Sequence, residues 1–302
     1  AIRSNIKQIN AESFPEIDNI IRIANELKVR VPVAIRVNPD IKVKTHEKIA
    51  TGSNDTKFGL PIKEAVEIYK KISNEKYITT MGLAIHIGSQ IFDMNEFKLA
   101  YENVLSIANS LREEGMDVPN LDLGGGLGVD YQNASINFKD YGKTIREVFN
   151  TYDYKLSIEP GRSLVANSGV LVTKIIYIKN SERKNFLIVD GAMNDFIRPT
   201  LYNAHHNIEP LIKSKNKEVE YDVVGPICET GDYFIKDLKL NQPMEGQFLA
   251  IFSTGAYGSV MSSSYNSRPS AGELLVHNNK IHLLRKQEVI EYQIQKEILP
   301  DL

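Results

Sequence analysis

The stretch LDLGGGLGVDY, residues 121–131, places three consecutive glycines directly after a short apolar run. A glycine run at a strand end bares backbone N–H groups. Together with the dipole of a following helix, those groups favour a phosphate. A tight strand-to-helix turn that needs positive φ would use the same residues. The spacing departs from the dinucleotide fingerprint, because no acidic residue follows a second strand at the required distance. No lysine stands where a P-loop needs one.

Outward from the glycines, the first half of the chain alternates strand and helix. IKQINAE (6–12) reads as a short strand. SFPE supplies a capping box, Ser13 with Glu16, and Ile17, Ile20, Ile21, Ala24 and Leu27 follow at helical spacing. VPVAIRV (31–37) reads as a buried strand closed by NPD, and a polar loop runs through THEKIATGSNDTKFG (45–59). A helix follows, with Pro61 in its first turn and Ile62, Ala65, Val66, Tyr69 and Ile72 on one face. MGLAIHIGSQ (81–90) is strand then loop, and Phe97, Tyr101, Val104, Leu105, Ala108 and Leu111 mark another helix. NLDL leads to the glycines. Residues 138–152 are helical, with Phe138, Tyr141, Ile145, Val148 and Phe149 as the stripe, and KLSIE (155–159) is a fifth strand. Repeated βα units imply parallel strands. Five of them admit an open doubly wound sheet or part of a (β/α)8 barrel. In both, chemistry sits at the carboxyl ends of the strands. NPD, HIGS, GGGLG and EPGR fall there.

After about residue 168 the texture becomes β-rich and long helices disappear. HNNK reads as a hairpin turn. This predicts a second, mostly antiparallel β domain, with domains at 1–167 and 168–302. A net charge of −2 over 302 residues gives no global reason to bind nucleic acid or an acidic membrane, and no apolar run reaches bilayer length. A single cysteine, Cys228, excludes an internal disulfide, so a cytoplasmic location is the default expectation. Nothing in the pattern calls for a metal. The chain opens on Ala1 in what reads as the middle of an element, so a trimmed or partial chain is expected.

Individual side chains admit two readings each. Glu159 and Arg162 in EPGR suit an anionic cofactor with a basic ring, since loops after the last two barrel strands often build a phosphate site. They also suit a helix-start carboxylate and a surface ion pair. His86 and Ser89 stand at a strand end, as catalysts or as an ordinary core histidine and a cap. Cys228, beside Glu229 and Asp232, is not an easily formed thiolate, and in the plainer reading it is buried and inert. A neutral thiol still gives up a proton.

The segments HIGSQ, LDLGGGLG, EPGRSLVANSGVL, DGAMNDFIRPTLYNA, GPICETGD and GAYGSVMSSSYNSRP together resemble the diaminopimelate decarboxylase family. That family belongs to the fold-type III pyridoxal phosphate (PLP) enzymes. The resemblance runs from residue 1 to the C-terminus. CETGD with MSSSYNSRP points to the diaminopimelate branch rather than the ornithine and arginine branches. It implies a (β/α)8 barrel, a β domain, a head-to-tail homodimer with shared active sites, and decarboxylation of meso-2,6-diaminopimelate to L-lysine. It further implies that Gly124, Gly125, Gly126 and the backbone of Pro160, Gly161 and Arg162 hold the phosphate, assisted by Ser89 and Tyr257. His86 would stack on the ring, and Glu159 would keep the pyridine nitrogen protonated. Arg162, Arg198 and Tyr202 would grip substrate carboxylates. Cys228 and Glu229 would enter the partner's site, Cys228 as proton donor, and Tyr265 would line the pocket. A protonated pyridinium is the electron sink that decarboxylation needs. Paired arginines suit a dicarboxylate.

Counted against the family, IKQINAE is the fourth strand, and the lysine that carries the cofactor falls before residue 1. Lys57 in TKFG belongs to a different motif. The expectation is therefore the last five strands of a barrel, with exposed edges that invite pairing. A non-catalytic remnant, a subunit of a split enzyme, and a related D-lysine or D-ornithine decarboxylase are the alternative readings.

Overall fold

The computed structural model describes residues 1–41, 57–133 and 135–300; residues 45–56 of the expected polar loop lie outside them. By contacts the chain divides into two compact units, Ala1–Val129 with Ile136–Ser163, and Asp130–Ser135 with Leu164–Leu302. Sequence texture places a single boundary after residue 167 and does not reveal that residues 130–135 group with the second unit.

In the first unit, IKQINAE forms β1 (Ile9–Ala11). Alternation along a strand sends Ile9 and Ala11 to the hydrophobic core and Gln8, Asn10 and Glu12 to the opposite face. Helix α1 (Phe14–Leu27) starts at Ser13, whose hydroxyl accepts from Glu16 N–H at 3.3 Å. The Glu16 carboxylate accepts from Glu12 N–H at 2.7 Å, so the reciprocal bond of the expected box closes one residue before the cap. Strand β2 (Val31–Asn38) follows, and then β3 (Leu60–Pro61). Pro61 precedes helix α2 (Ile62–Ser73) as its cap residue, rather than lying inside the first turn. The buried stripe of α2 is Ala65, Ile68, Tyr69 and Ile72, while Ile62, expected on that face, is exposed at the helix start.

Strand β4 (Ile78–Ala84) leads to α3 (Met94–Glu113), whose buried face carries every residue expected of it. After β5 (Asn120–Asp122) come α4 (Phe138–Phe149) and β6 (Lys155–Ser157). The Tyr101 hydroxyl donates to that of Tyr141 at 3.0 Å and ties α3 to α4. Phe138, expected in the α4 stripe, is exposed because it opens the helix, and Thr144 is buried in the middle of it. The strands run β1-β2-β4-β5-β6, all parallel, with β3 also pairing in parallel with β2.

The second unit begins with α5 (Arg162–Val165), whose last two residues belong to it. It contains β7 (Leu171–Asn180), β8 (Asn185–Val189), α6 (Arg198–Tyr202), β9 (Ile208–Pro210), β10 (Glu218–Val224), β11 (Tyr233–Asn241) and β12 (Phe248–Ile251). Its sheet order is β11-β10-β8-β7-β12-β9, antiparallel at every junction but β8–β10. Ile175, Leu187, Val189, Val223 and Phe234 form its core. HNNK is the turn between β13 (Glu273–His277) and β14 (Lys280–Arg285). Asn278 and Asn279 lie at φ 49° and 58°, the backbone a two-residue hairpin turn requires. Among the described residues no helix is long and apolar enough to cross a membrane.

One glycine fixes the pairing of the parallel sheet. The β2–β4 register slips by one residue between Thr80 and Gly82, so β4 carries a bulge. Gly82 lies at φ +130°, and a Cβ there would stand 1.8 Å from the Asn120 carbonyl oxygen of β5. Gly115, just past α3, has φ +85° but nothing within 4 Å of such a Cβ. In urea denaturation, Gly82→Ala should therefore cost about 3 kcal/mol or more, from overpacking added to backbone strain. Gly115→Ala should cost about 1 kcal/mol, from backbone strain alone. Equal losses would contradict the packing at Gly82.

Candidate active site

The glycines bring three strand ends together. A Cβ on Gly124 would stand 2.2 Å from Ile85 O, one on Gly125 would stand 2.2 Å from Glu159 O, and one on Gly126 would stand 2.4 Å from Gly88 O. The segments after β4, β5 and β6 thus meet backbone to backbone. Gly124 O accepts from Glu159 N–H at 2.8 Å. Gly124 N–H donates to Asp122 Oδ1 at 3.1 Å, and Gly125 N–H donates to His86 Nδ1 at 3.1 Å. These two amides, expected to face a phosphate, are engaged within the protein. The next long helix, α4, begins only at Phe138, so the glycines do not lead directly into a helix N-terminus.

His86 and Glu159 are brought to this junction. Burial, and then the charge of Arg36, lowers the His86 pKa to about 4, with Asp122 and Glu12 opposing. The imidazole is therefore neutral at neutral pH, as its role as acceptor from Gly125 requires. Desolvation and the neighbouring Asp122 raise the Glu159 pKa, with Arg36 opposing. Glu159 Oε1 accepts from Asn10 Nδ2 at 3.3 Å, and the same amide lies 3.4 Å from Asp122 Oδ2. Gln8 Nε2 donates to Asn10 Oδ1 at 2.8 Å and to Asp122 Oδ2 at 3.3 Å. Arg36 pairs with Glu12 at 2.7 Å.

Ser89 and Arg162 also meet. The Ser89 hydroxyl accepts from Arg162 Nε at 3.2 Å and Nη2 at 3.0 Å, so Arg162 is a buried group of the site and not a surface ion pair. The helix that follows, α3, is capped by Asp93 and not by Ser89. Between Glu159 and Arg162, Gly161 has no positive φ, and a Cβ on it would meet nothing within 4 Å. Neither packing nor backbone conformation demands a glycine at that position, and its backbone is left open. In the same unit, Gln8 Oε1 is a buried oxygen without a hydrogen-bond partner among the described residues. Open space, hydrogen-bond donors and a carboxylate with a raised pKa fit an anionic cofactor whose ring nitrogen binds a proton.

The second unit gathers the remaining candidates in its own groups. Glu229 and Tyr265 meet: the Tyr265 hydroxyl donates to Glu229 Oε2 at 2.7 Å, and that bond raises its pKa. Both line a cavity of about 320 Å³ with Met193, Asn194, Ile197 and Ser263. Cys228 is exposed, contrary to the plainer sequence reading. Glu229 N–H bonds Ile227 O at 2.7 Å, which makes Cys228 the centre of a three-residue turn and directs it outward. The loop is clamped by the buried Asp232 carboxylate, which accepts from Ile227 N–H and from Met193 N–H, each at 2.7 Å. Arg198 and Tyr202 are the first and last residues of α6, and Arg198 is 4% exposed. Tyr257 is half exposed at φ 61°, a conformation a bulky side chain adopts only under constraint.

Several residues that organise these groups were not singled out from sequence. Gln8, Asn10 and Asp122 form the polar network behind Glu159, and alternation within KQINAE was the signal for the first two. Arg268 donates to Asn194 Oδ1 at 2.8 Å and reaches Asp190 O at 2.5 Å, joining two of the motif segments. His206 lies against Arg198 with no local motif to announce it.

Residues 1–166 match the family model described as pyridoxal-dependent decarboxylase, pyridoxal binding domain. A diaminopimelate decarboxylase of Aquifex aeolicus is 42% identical over 98% of this chain and 71% of its own length. One of Pseudomonas aeruginosa is 43% identical over 96% of this chain and 70% of its own length. The crystal structure of the Helicobacter pylori diaminopimelate decarboxylase complexed with L-lysine superposes with a TM-score of 0.93 at 41% identity, covering 98% of this chain and 75% of that one. With about seven tenths of the relatives' length matched at this identity, the chain belongs to the diaminopimelate decarboxylases, within the pyridoxal-dependent decarboxylase family.

Proposed function

We propose that this protein binds PLP at the junction of the parallel strand ends and decarboxylates meso-2,6-diaminopimelate to L-lysine. The observation that carries the reading is the convergence there of a carboxylate with a raised pKa and a neutral imidazole, with the Arg162–Ser89 pair and the open backbone of Gly161 in the segments that follow. When bound, PLP supplies an electron sink for the pair left behind as carbon dioxide departs.

This chain's own residues supply the rest. Glu159, held through Asn10, keeps a proton on the ring nitrogen: a carboxylate that desolvation makes costly to ionise alone is stabilised beside a cation. Neutral His86 presents an uncharged ring face. The backbone of Gly126, Pro160, Gly161 and Arg162 would hold the phosphate, and Ser89 and the Tyr257 hydroxyl are the side chains that would assist. This places less weight on Gly124 and Gly125, whose amides are already engaged. Arg162, Arg198 and Tyr202 would take substrate carboxylates, while Glu229, held by the Tyr265 hydroxyl, would enter the partner's site with Cys228. The Cys228 thiol gives a proton to the carbon that has lost its carboxylate, in a site completed by a second copy of the chain. We further infer that the parallel sheet is part of an eight-stranded barrel and that the enzyme works in the cytoplasm as a homodimer.

The test is to incubate the full-length gene product with PLP and meso-diaminopimelate, following carbon dioxide and L-lysine together, with D-lysine and D-ornithine as competing substrates. Carbon dioxide from diaminopimelate in preference to the other two is expected; PLP binding without that release would overturn the reading. Cys228→Ala should lower kcat by about 100-fold while PLP binding persists, as for loss of a general acid. The His86 ring, assigned by comparison with His86→Gln, should titrate by NMR near pH 4; titration near its ordinary 6.5 would show that it is not the buried neutral ring.

A further inference from the structure

We propose that His206 is a positioning residue for Arg198, locked in its neutral Nδ1–H form so that Nε2 accepts from the guanidinium. The inference rests on the reading of Arg198 as a substrate-carboxylate group.

The protonation state follows from the two partners. His206 is completely buried, with Nδ1 3.0 Å from the Phe252 carbonyl oxygen and Nε2 2.7 Å from Arg198 Nη1. A carbonyl oxygen only accepts, so Nδ1 must carry the hydrogen. A guanidinium only donates, so Nε2 must offer its lone pair. The neutral Nδ1–H tautomer satisfies both. The other tautomer opposes lone pair to lone pair at Phe252 and N–H to N–H at Arg198. The doubly protonated ring sets two cations against each other.

The ring cannot turn away to escape this. Tyr131 packs on it with centroids 4.6 Å apart and planes 50° apart, and Phe196 packs edge-on at 4.6 Å. The guanidinium itself lies 4.8 Å over the Tyr131 ring. Arg198 is thus fixed at one nitrogen by a lone pair and along its face by an aromatic ring. A carboxylate in the place of His206 would hold the guanidinium as firmly and would also neutralise it. An imidazole lone pair orients the cation and contributes no negative charge, so it does not compete with an anionic ligand for it.

The holoenzyme from the full-length gene tests this in two independent ways. Long-range ¹H–¹⁵N NMR of the His206 ring, assigned with the His206→Gln variant, should show protonated Nδ1 and bare Nε2 across pH 6–8. The opposite tautomer, or an imidazolium, would overturn the proposal. In kinetics, His206→Leu removes the lone pair at similar volume. It should raise KM for diaminopimelate about 10- to 100-fold, the loss expected of a hydrogen bond to a charged group, with kcat and the PLP absorbance little changed. His206→Gln, which retains an acceptor oxygen, should keep KM within about threefold. Equal loss in the two variants would overturn the lone-pair role. Should His206→Leu fail to fold, as circular dichroism would show, the tautomer and the Gln variant decide the matter. Arg198→Lys is run beside them. If it leaves KM unchanged, the assignment of Arg198 to substrate falls. If it raises KM while His206→Leu does not, the positioning role falls and the substrate assignment stands.

Discussion

The site depends on three carbonyl oxygens standing where side chains would begin. Ile85 O, Glu159 O and Gly88 O lie 2.2, 2.2 and 2.4 Å from the Cβ positions of Gly124, Gly125 and Gly126. A parallel sheet spaces its strands by hydrogen bonding, but the loops beyond the last ladder bonds have no such rule and normally diverge. Here the glycines let them converge, and bonds such as Glu159 N–H to Gly124 O continue the contact past the strand ends. His86 and Glu159 are held at a fixed spacing because the backbones that carry them touch. Ser89 follows Gly88, and Arg162 follows the Glu159 segment to meet it.

Charge on the polar face of that sheet is arranged around the same point. Glu12, Asp122 and Glu159 carry carboxylates, and Arg36 is the cation that acts on Glu159 and His86 alike. The effects on the two are opposite in use. Arg36 helps to keep His86 neutral, and it only partly relieves Glu159 of its burial and of Asp122. A carboxylate whose pKa is raised on folding binds protons more tightly in the native state, so in isolation it subtracts stability as pH rises past its ordinary range. On the proposed reading, a cationic ring nitrogen at Glu159 would reverse that sign.

Much of this was legible in the sequence, for physical reasons that differ between elements. Alternating βα units and the buried face of α3 follow from apolar periodicity, which tertiary structure rarely overrides over so long a helix. The ends of elements were harder: Pro61 caps α2 from outside, and Phe138 and Ile62 are exposed because a helix's first turn is the least covered. The glycines were visible, but their immediate partners were not, since a carbonyl across the sheet leaves no mark in local sequence. The same holds for His206, whose importance lies in a contact with Arg198 and a carbonyl of Phe252 far along the chain. Asn10 and Asp122 read as ordinary strand residues until the two strands are placed on one sheet.

Cys228 is the one sulfhydryl in the 302 residues, and in the single chain its three-residue turn leaves it exposed. With no second cysteine in the chain, an oxidant that converts it to a sulfenic acid meets no internal resolving thiol to form a disulfide. The first oxidation step is reversible only by a small thiol or reductant from outside, and further peroxide carries the sulfur to the irreversible sulfinic state. Repair of that first step is accordingly set by the reducing poise of the surroundings.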